Sequence, residues 1–250
     1  MKAIKGWRYR HQLFSRFDNG IEFDKEGFES SKSESVALFI ARHLPGKTVL
    51  DAFTGIGGCA IAFAREGKHV ISVEINDERS RMAQNNAMVY GVESQINFVV
   101  GDLIKLWRRF DFDAAYFDPS WGGLGYENLA SLNFSSFKPN VLHLIKKLTD
   151  LGKSVAITLP LNFDLNELKR IKKGAHLYFN EQYGKPYCIH CIWVAAPEII
   201  DAQDQEMDRG AVARAPDHSL NRARQKQRIG CASLCAATHR SYVTTTAVEL

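Results

Sequence analysis

Thr48-Val49-Leu50-Asp51-Ala52-Phe53 is a short apolar run carrying an acid, and it passes straight into Thr54-Gly55-Ile56-Gly57-Gly58. The small-residue segment Cys59-Ala60-Ile61-Ala62-Phe63-Ala64 follows, and then a second apolar run, His69-Val70-Ile71-Ser72-Val73-Glu74, closed by an acid. A strand, a glycine turn, a helix able to pack closely on a sheet and a second strand make the first unit of a nucleotide-binding α/β fold. The glycines let the backbone approach a ligand, and the amides at the helix start face it. A carboxylate at Glu74, about 20 residues past the glycines, suits the two hydroxyls of a ribose.

The turn is Asp51-Ala52-Phe53-Thr54-Gly55-Ile56-Gly57 and not GxGxxG. A pyrophosphate wants free amides without a carboxylate beside them, and Asp51 would repel it. S-adenosylmethionine carries an ammonium and a sulfonium and no phosphate, so the acid favours this methyl donor over NAD.

The alternation continues. Apolar periodicity predicts helices over residues 34–43, 79–90, 137–151 and 165–171, and strands over 96–100, 113–117 and 154–159. Asp102, just past the third strand, suits the adenine amine. Two more strands, 176–183 and 187–195, flank Gly184-Lys185-Pro186 as a hairpin. Five strands alternating with helices and then a closing hairpin predict a Rossmann-like, seven-stranded, mostly parallel sheet of the class I methyltransferase layout. Residues 1–45 are expected to be an arm and helix covering the active site, 46–197 the methyltransferase domain, and 198–250 a disordered tail with a basic cluster at Arg222, Arg224, Lys226 and Arg228.

Asp113-Ala114-Ala115-Tyr116-Phe117 runs into Asp118-Pro119-Ser120-Trp121-Gly122-Gly123, at the strand end where open α/β sheets place their ligands. There the Asp118 carboxylate and the carbonyls of Asp118 and Pro119 can accept from an exocyclic amine. Proline stiffens the turn, and the Trp121 indole stacks on the ring that bears the amine. A strand-to-loop turn with a packed Trp fits the same tetrapeptide.

The formal net charge of +4 suits an anionic partner without proving one. In the first sixteen residues Lys2, Lys5, Arg8, Arg10 and Arg16 are unopposed by any acid and interleave with Trp7, Tyr9 and Phe14. Such a segment can pair with phosphates and stack on bases, and it equally describes a solvated arm. No apolar run approaches the roughly 20 residues of a membrane span, and the start lacks the apolar core of a signal peptide, so a soluble intracellular protein is expected. The five cysteines are expected to be free thiols. Strand alternation puts Cys188 and Cys191 on opposite faces, and no metal site is expected.

Leu13-Phe14-Ser15-Arg16-Phe17-Asp18-Asn19-Gly20-Ile21, Asp24-Lys25-Glu26-Gly27-Phe28, the Asp51 to Gly58 turn, Asn85-Asn86-Ala87 and Trp121-Gly122-Gly123-Leu124-Gly125-Tyr126 together resemble the trimethylguanosine synthases. These RNA cap enzymes methylate the exocyclic N2 of 7-methylguanosine, giving 2,7-dimethyl- and 2,2,7-trimethylguanosine. The resemblance runs from Lys5 to about Pro197. It implies that Asp51, Phe53, Gly55, Gly57, Glu74, Asp102 and Asp118 line an S-adenosylmethionine pocket, with Phe14 folded over it. Asp118, Pro119, Ser120 and Trp121 form the catalytic turn, and Trp121 stacks on the cap. Asn86 contacts the methylated guanine, and Lys5 and Ser30 lie on the cap side. An indole face attracts a cation by roughly 0.5–2 kcal/mol, so Trp121 favours the cationic 7-methylguanine over plain guanine. The resemblance further implies small nuclear and nucleolar capped RNA as partner, a nuclear site with the cytoplasm as a second, and a monomer. The chain departs from the family pattern at Asp118-Pro119-Ser120-Trp121, where Ser-Pro-Pro-Trp is usual, and at Cys59, where the usual residue is Asn. It departs again at Lys32-Ser33 for Thr-Pro, where Lys32 brings a charge, and at Leu161 for a phosphate-binding Arg. Two alternatives stay open: an N6-adenine or N2-guanine methyltransferase of rRNA, tRNA or DNA, and a cap-binding protein without catalysis.

Overall fold

The two apolar runs around the glycine turn are neighbouring strands. In a computed structural model, which describes residues 4–121, 128–172, 174–195 and 243–244, β1 (Thr48–Asp51) and β2 (His69–Glu74) pair in parallel, Val49 beside Val70 and Asp51 beside Ser72. With β3 (Ile96–Val100), β4 (Ala114–Phe117), β5 (Ser154–Pro160), β6 (Ala175–Gln182), β7 (Lys185–Trp193) and β8 (Val243–Thr244) they form one sheet in the order 3-2-1-4-5-7-6-8. The first five strands are parallel, and β7 enters antiparallel between β5 and β6. The chain runs outward from β1 to β3 and returns to β4 on the other side of β1. The strand order therefore reverses between β1 and β4, where a crevice opens beyond their carboxyl ends. Asp51 closes β1 and Asp118 follows β4, so the switch point separates the two acids.

The central strands are apolar on both faces, as a covered parallel sheet requires. Val49, Ala114, Tyr116, Ala156 and Ile192 belong to one core cluster, with Phe14, Phe17 and Phe28. Leu50, Ala115, Phe117, Val155 and Ile157 belong to the other, with Phe134, Phe137 and Phe163. Each large side chain fully buried in this way contributes roughly 1.5–3 kcal/mol. The helices are α1 (Arg10–Leu13), α2 (Lys25–Ser30), α3 (Glu34–His43), α4 (Gly58–Arg65), α5 (Asp77–Tyr90), α6 (Leu103–Leu106) and α7 (Leu142–Asp150). In α5, Asn76 Oδ1 accepts the amides of Glu78 and Arg79, and Asp77 and Glu78 sit at the positive end of the helix dipole.

Several expectations need correction. α7 starts at Leu142 and not at 137, because Pro139 holds the preceding residue out of the helical region and Asn140 Oδ1 caps the amide of Leu142. The hairpin turns on Tyr183-Gly184, both with positive φ (58° and 72°), so Lys185 and Pro186 lie inside β7. The region read as a featureless tail supplies β8, which pairs with Phe179 and Asn180 of β6 and adds an eighth strand to the expected seven. The rest of the 198–250 stretch, its basic cluster included, lies outside the described residues, as do Gly122 to Tyr126 of the glycine-softened loop.

Candidate active site

The glycine turn opens a place for a ligand. Gly55 adopts φ +56°, and a side chain added there would meet nothing within 4 Å, so its backbone faces open space. Gly57, the residue before α4, adopts φ +95°, and a Cβ there would lie 3.1 Å from the Cα and Cβ of Ala83 on α5. That glycine is needed for close helix packing beneath the turn. The amide of Gly55 donates to Glu74 Oε2 at 2.8 Å, and that of Asn76 donates to Oε1 at 2.9 Å. Each Glu74 oxygen keeps a lone pair, enough for two hydroxyls.

Asp51 is the anomaly of the fold. Its side chain is fully buried, and neither carboxylate oxygen has a hydrogen-bond partner among the described residues. The nearby Thr54 hydroxyl goes to the backbone carbonyl of Asp51 instead, at 3.3 Å. Burial, reinforced by the charge of Asp118, pushes the Asp51 carboxyl up to about 7. An orphaned buried acid is an acceptor awaiting a donor.

Across the switch point the Asp118 carboxylate meets a lysine. Lys32, two residues before α3, is buried, and its ammonium pairs with Asp118 Oδ2. Burial works against the charged form, yet the Asp118 carboxylate outweighs it and holds the ammonium above the usual lysine range. Burial pushes the Cys59 and Cys188 thiols up to about 12, so neither is a nucleophile at neutral pH. After Asp118, Pro119 is buried and Ser120 exposed, and the Ser120 carbonyl accepts from the Lys138 amide at 3.1 Å.

Comparison with known proteins gives this geometry a family. Residues 46–193 match the model of the RNA cap guanine-N2 methyltransferases, and the matched span is more than half of the chain. The chain belongs to this family. The cap methyltransferase is 31% identical over 225 residues to a trimethylguanosine synthase of Schizosaccharomyces pombe, covering 85% of this chain and 90% of that one. It is 29% identical to a trimethylguanosine synthase of Saccharomyces cerevisiae over 213 residues, 77% of this chain and 67% of that one. In fold it is similar to a putative methyltransferase from Porphyromonas gingivalis W83, with a TM-score of 0.61 at 20% identity over 76% of this chain and 48% of that one. The cofactor of this cap methyltransferase is S-adenosylmethionine, and the site fits it. Asp51 offers an unpartnered carboxylate to an ammonium, Gly55 an open backbone and Glu74 two free lone pairs.

The other residues singled out in the sequence fall into several places. Phe53 is half-buried, its ring 6.3 Å from that of Phe117. Asp102 caps α6 by accepting the Ile104 amide at 3.0 Å. Phe14 is 2% exposed and packs in the core, its Cζ 3.8 Å from where a Cβ on Gly58 would stand. It abuts the start of α4, beside the glycine turn, as a buried residue. Asn86 is fully buried. It accepts the Glu22 amide at 2.7 Å and donates to the carbonyls of Glu22 and Ile56, so its amide ties the arm to the glycine turn and has nothing left for a base. Ser30, exposed, ends α2 with its hydroxyl 3.3 Å from the Gly27 carbonyl, and the Lys5 amide donates to Glu29. Trp121, expected to stack on the cap or to pack at a strand-to-loop turn, is only 9% exposed. It belongs to the core cluster of Phe117 and Leu159 and donates its indole N–H to the Thr158 carbonyl at 3.3 Å. The arm's Trp7 packs on Phe17, Phe23 and Phe28, and Tyr9 stacks on Tyr183 at 3.9 Å, so these rings brace the fold. Lys32 was expected to supply a charge in place of the arginine missing at Leu161, and it lies against Asp118. Its departure from the family pattern was the one signal that pointed to it.

Proposed function

We propose that this cap guanine-N2 methyltransferase takes a 7-methylated guanosine as acceptor, with Trp121 on the face of the cationic ring and Asp118 at its amine edge. The observation that carries the reading is an indole three residues past an acid paired with a lysine, at the carboxyl end of β4 and across the switch point from the orphaned Asp51. The indole N–H bond to Thr158 fixes one edge of the ring, so stacking requires its face to be uncovered as the base arrives. A cationic base gains roughly 0.5–2 kcal/mol on such a face over a neutral one.

S-adenosylmethionine supplies an electrophilic methyl group, so the acceptor amine needs alignment more than a strong base. Asp51, Gly55 and Glu74 hold the donor, with Phe53, Gly57, Asp102 and Phe14 shaping its surroundings. Asp118 and the carbonyls of the Asp118-Pro119 turn orient the amine, and Ser120 ends the turn. Lys5 and Ser30 lie on the side of the RNA chain. We assign residues 46–197 to methyl transfer and 1–45 to covering the site. To the same reading belong small nuclear and nucleolar capped RNAs as substrates, a nuclear site and a monomeric state, and no helix among the described residues is long and apolar enough to cross a membrane. The test is transfer of label from S-adenosylmethionine to 7-methylguanosine diphosphate, to GDP and to structured RNA, with products weighed by mass spectrometry. Transfer to 7-methylguanosine diphosphate but not GDP supports the reading; transfer to structured RNA alone sinks it.

A further inference from the structure

Lys32 lies where a lysine is hard to place. Its side chain is 3% exposed against 24% for that of Asp118, so the ammonium lies behind the carboxylate and the carboxylate keeps the open side. Lysines are almost never fully buried unless paired, and a buried ion pair is weak support for stability, because well-packed apolar side chains of similar volume do as well. Stability alone therefore does not explain the pair. The backbone around Lys32 is also held from both sides by one residue. Gln182, 7% exposed on β6, accepts the Ser33 amide on Oε1 at 3.1 Å and donates Nε2 to the Ser31 carbonyl at 3.3 Å. Ser31 is tied in turn to the Gly27 carbonyl through its hydroxyl, at 2.6 Å. Among the described residues Lys32 has no acidic partner except Asp118, and Asp118 has no other hydrogen bond. The Asp118 carboxylate thus keeps lone pairs without a protein partner among the described residues, while Lys32 holds its Oδ2.

We propose that Lys32 is a positioning residue for the acceptor base, pinning the Asp118 carboxylate so that it accepts the adjacent N1–H and N2–H of guanine. The proposal rests on the cap reading and deepens it by naming what selects the base. Guanine presents two N–H donors side by side, which one carboxylate can accept together. Adenine presents one donor beside a ring nitrogen whose lone pair faces the carboxylate, and that arrangement repels. The proton released from the methylated amine goes to solvent, and Asp118 stays a reader of the base.

The experiment is a double-mutant cycle on the full chain with Lys32→Met, Asp118→Asn and the pair together. It measures kcat/KM for 7-methylguanosine diphosphate, with binding of S-adenosylhomocysteine as the control for an intact donor half. Each single variant should lose about 10- to 100-fold, as loss of a charged hydrogen bond does. The double variant should be no worse than the poorer single one, because the two residues act as a unit. Losses that multiply overturn the proposal. A second measurement compares binding of 7-methylguanosine diphosphate with 7-methylinosine diphosphate, which keeps N1–H and lacks the N2 amine. The unsubstituted protein should prefer the former by about 10-fold, and Lys32→Met should erase most of that preference. Gln182→Leu keeps both charges but frees the backbone on either side of Lys32. It should reduce the same preference, and it decides the matter if Lys32→Met does not fold. Undiminished discrimination in whichever variant folds overturns the positioning role. Absence of any transfer to 7-methylguanosine diphosphate by the unsubstituted chain instead overturns the cap reading.

Discussion

Asp51→Asn should make the ligand-free protein more stable while damaging its hold on the cofactor. Burial and the charge of Asp118 raise the Asp51 carboxyl from 3.8 to about 7. The folded chain then binds this proton more tightly than the unfolded one. Stability therefore falls as pH rises between about 4 and 7, and the loss is complete above that window. Some three pH units at about 1.36 kcal/mol each set an upper bound near 4 kcal/mol. Asparagine has the same shape and no charge at any pH. The variant should gain about 2–4 kcal/mol at pH 8, several degrees in Tm for a chain of this size, and lose more than half of that advantage by pH 5. Urea unfolding without ligand at the two pH values measures the gain directly. Calorimetry with S-adenosylhomocysteine at pH 8 should show affinity weaker by about 10- to 100-fold, since the charged partner of the ligand's ammonium is gone. In the unsubstituted protein the same affinity should rise with pH up to about 7, as the carboxylate forms. A variant less stable at pH 8, or one whose advantage is the same at pH 5, would refute the orphaned-charge argument.

Three further outcomes are expected. Trp121→Phe keeps most of the core volume but loses the bond to Thr158 and the stronger ring; KM for 7-methylguanosine diphosphate should rise several-fold with S-adenosylhomocysteine binding unchanged, and an unchanged KM would remove the stacking role. Gly57→Ala forces a side chain into a left-handed backbone 3.1 Å from Ala83, and should lower unfolding stability by about 1–3 kcal/mol and shift α4 against α5. Glu34 is held by the Ser15 amide and hydroxyl, Tyr90 and Arg65; burial opposes its charge, but these partners win and hold the carboxyl below the usual range. Its stabilising effect is present above the ordinary carboxylate range and lost as pH falls, so Glu34→Ala should cost about 1–3 kcal/mol at pH 7, less in acid, and speed amide exchange at Ser15.

How much of this was legible depended on how local the cause was. The near-continuous burial of β1, β2 and β4 follows from apolar runs such as Val70-Ile71-Ser72-Val73, which can be seen without knowing the partner strands. The acids at positions 51, 74 and 118 were placed by strand ends for the same reason. Asn86 was not legible, because whether an amide reaches a ligand or a backbone depends on the arm folding against the glycine turn. Nor was the burial of Lys32, set in Ser30-Ser31-Lys32-Ser33, where a polar stretch before a helix gives no sign of it. Trp121 lay between the two cases. Its place past β4 was readable, but its bond to Thr158 is made by a neighbouring strand. α2 and α6 were missed because one or two turns are too short to show a helical period.

Gln182 grips Ser31 and Ser33 across roughly 150 residues of chain. The turn that carries Lys32 is thus fastened by one of the last strands of the same compact unit. On a ribosome, where amino-terminal segments emerge first, that turn would wait for nearly the whole domain to be made before its backbone is held.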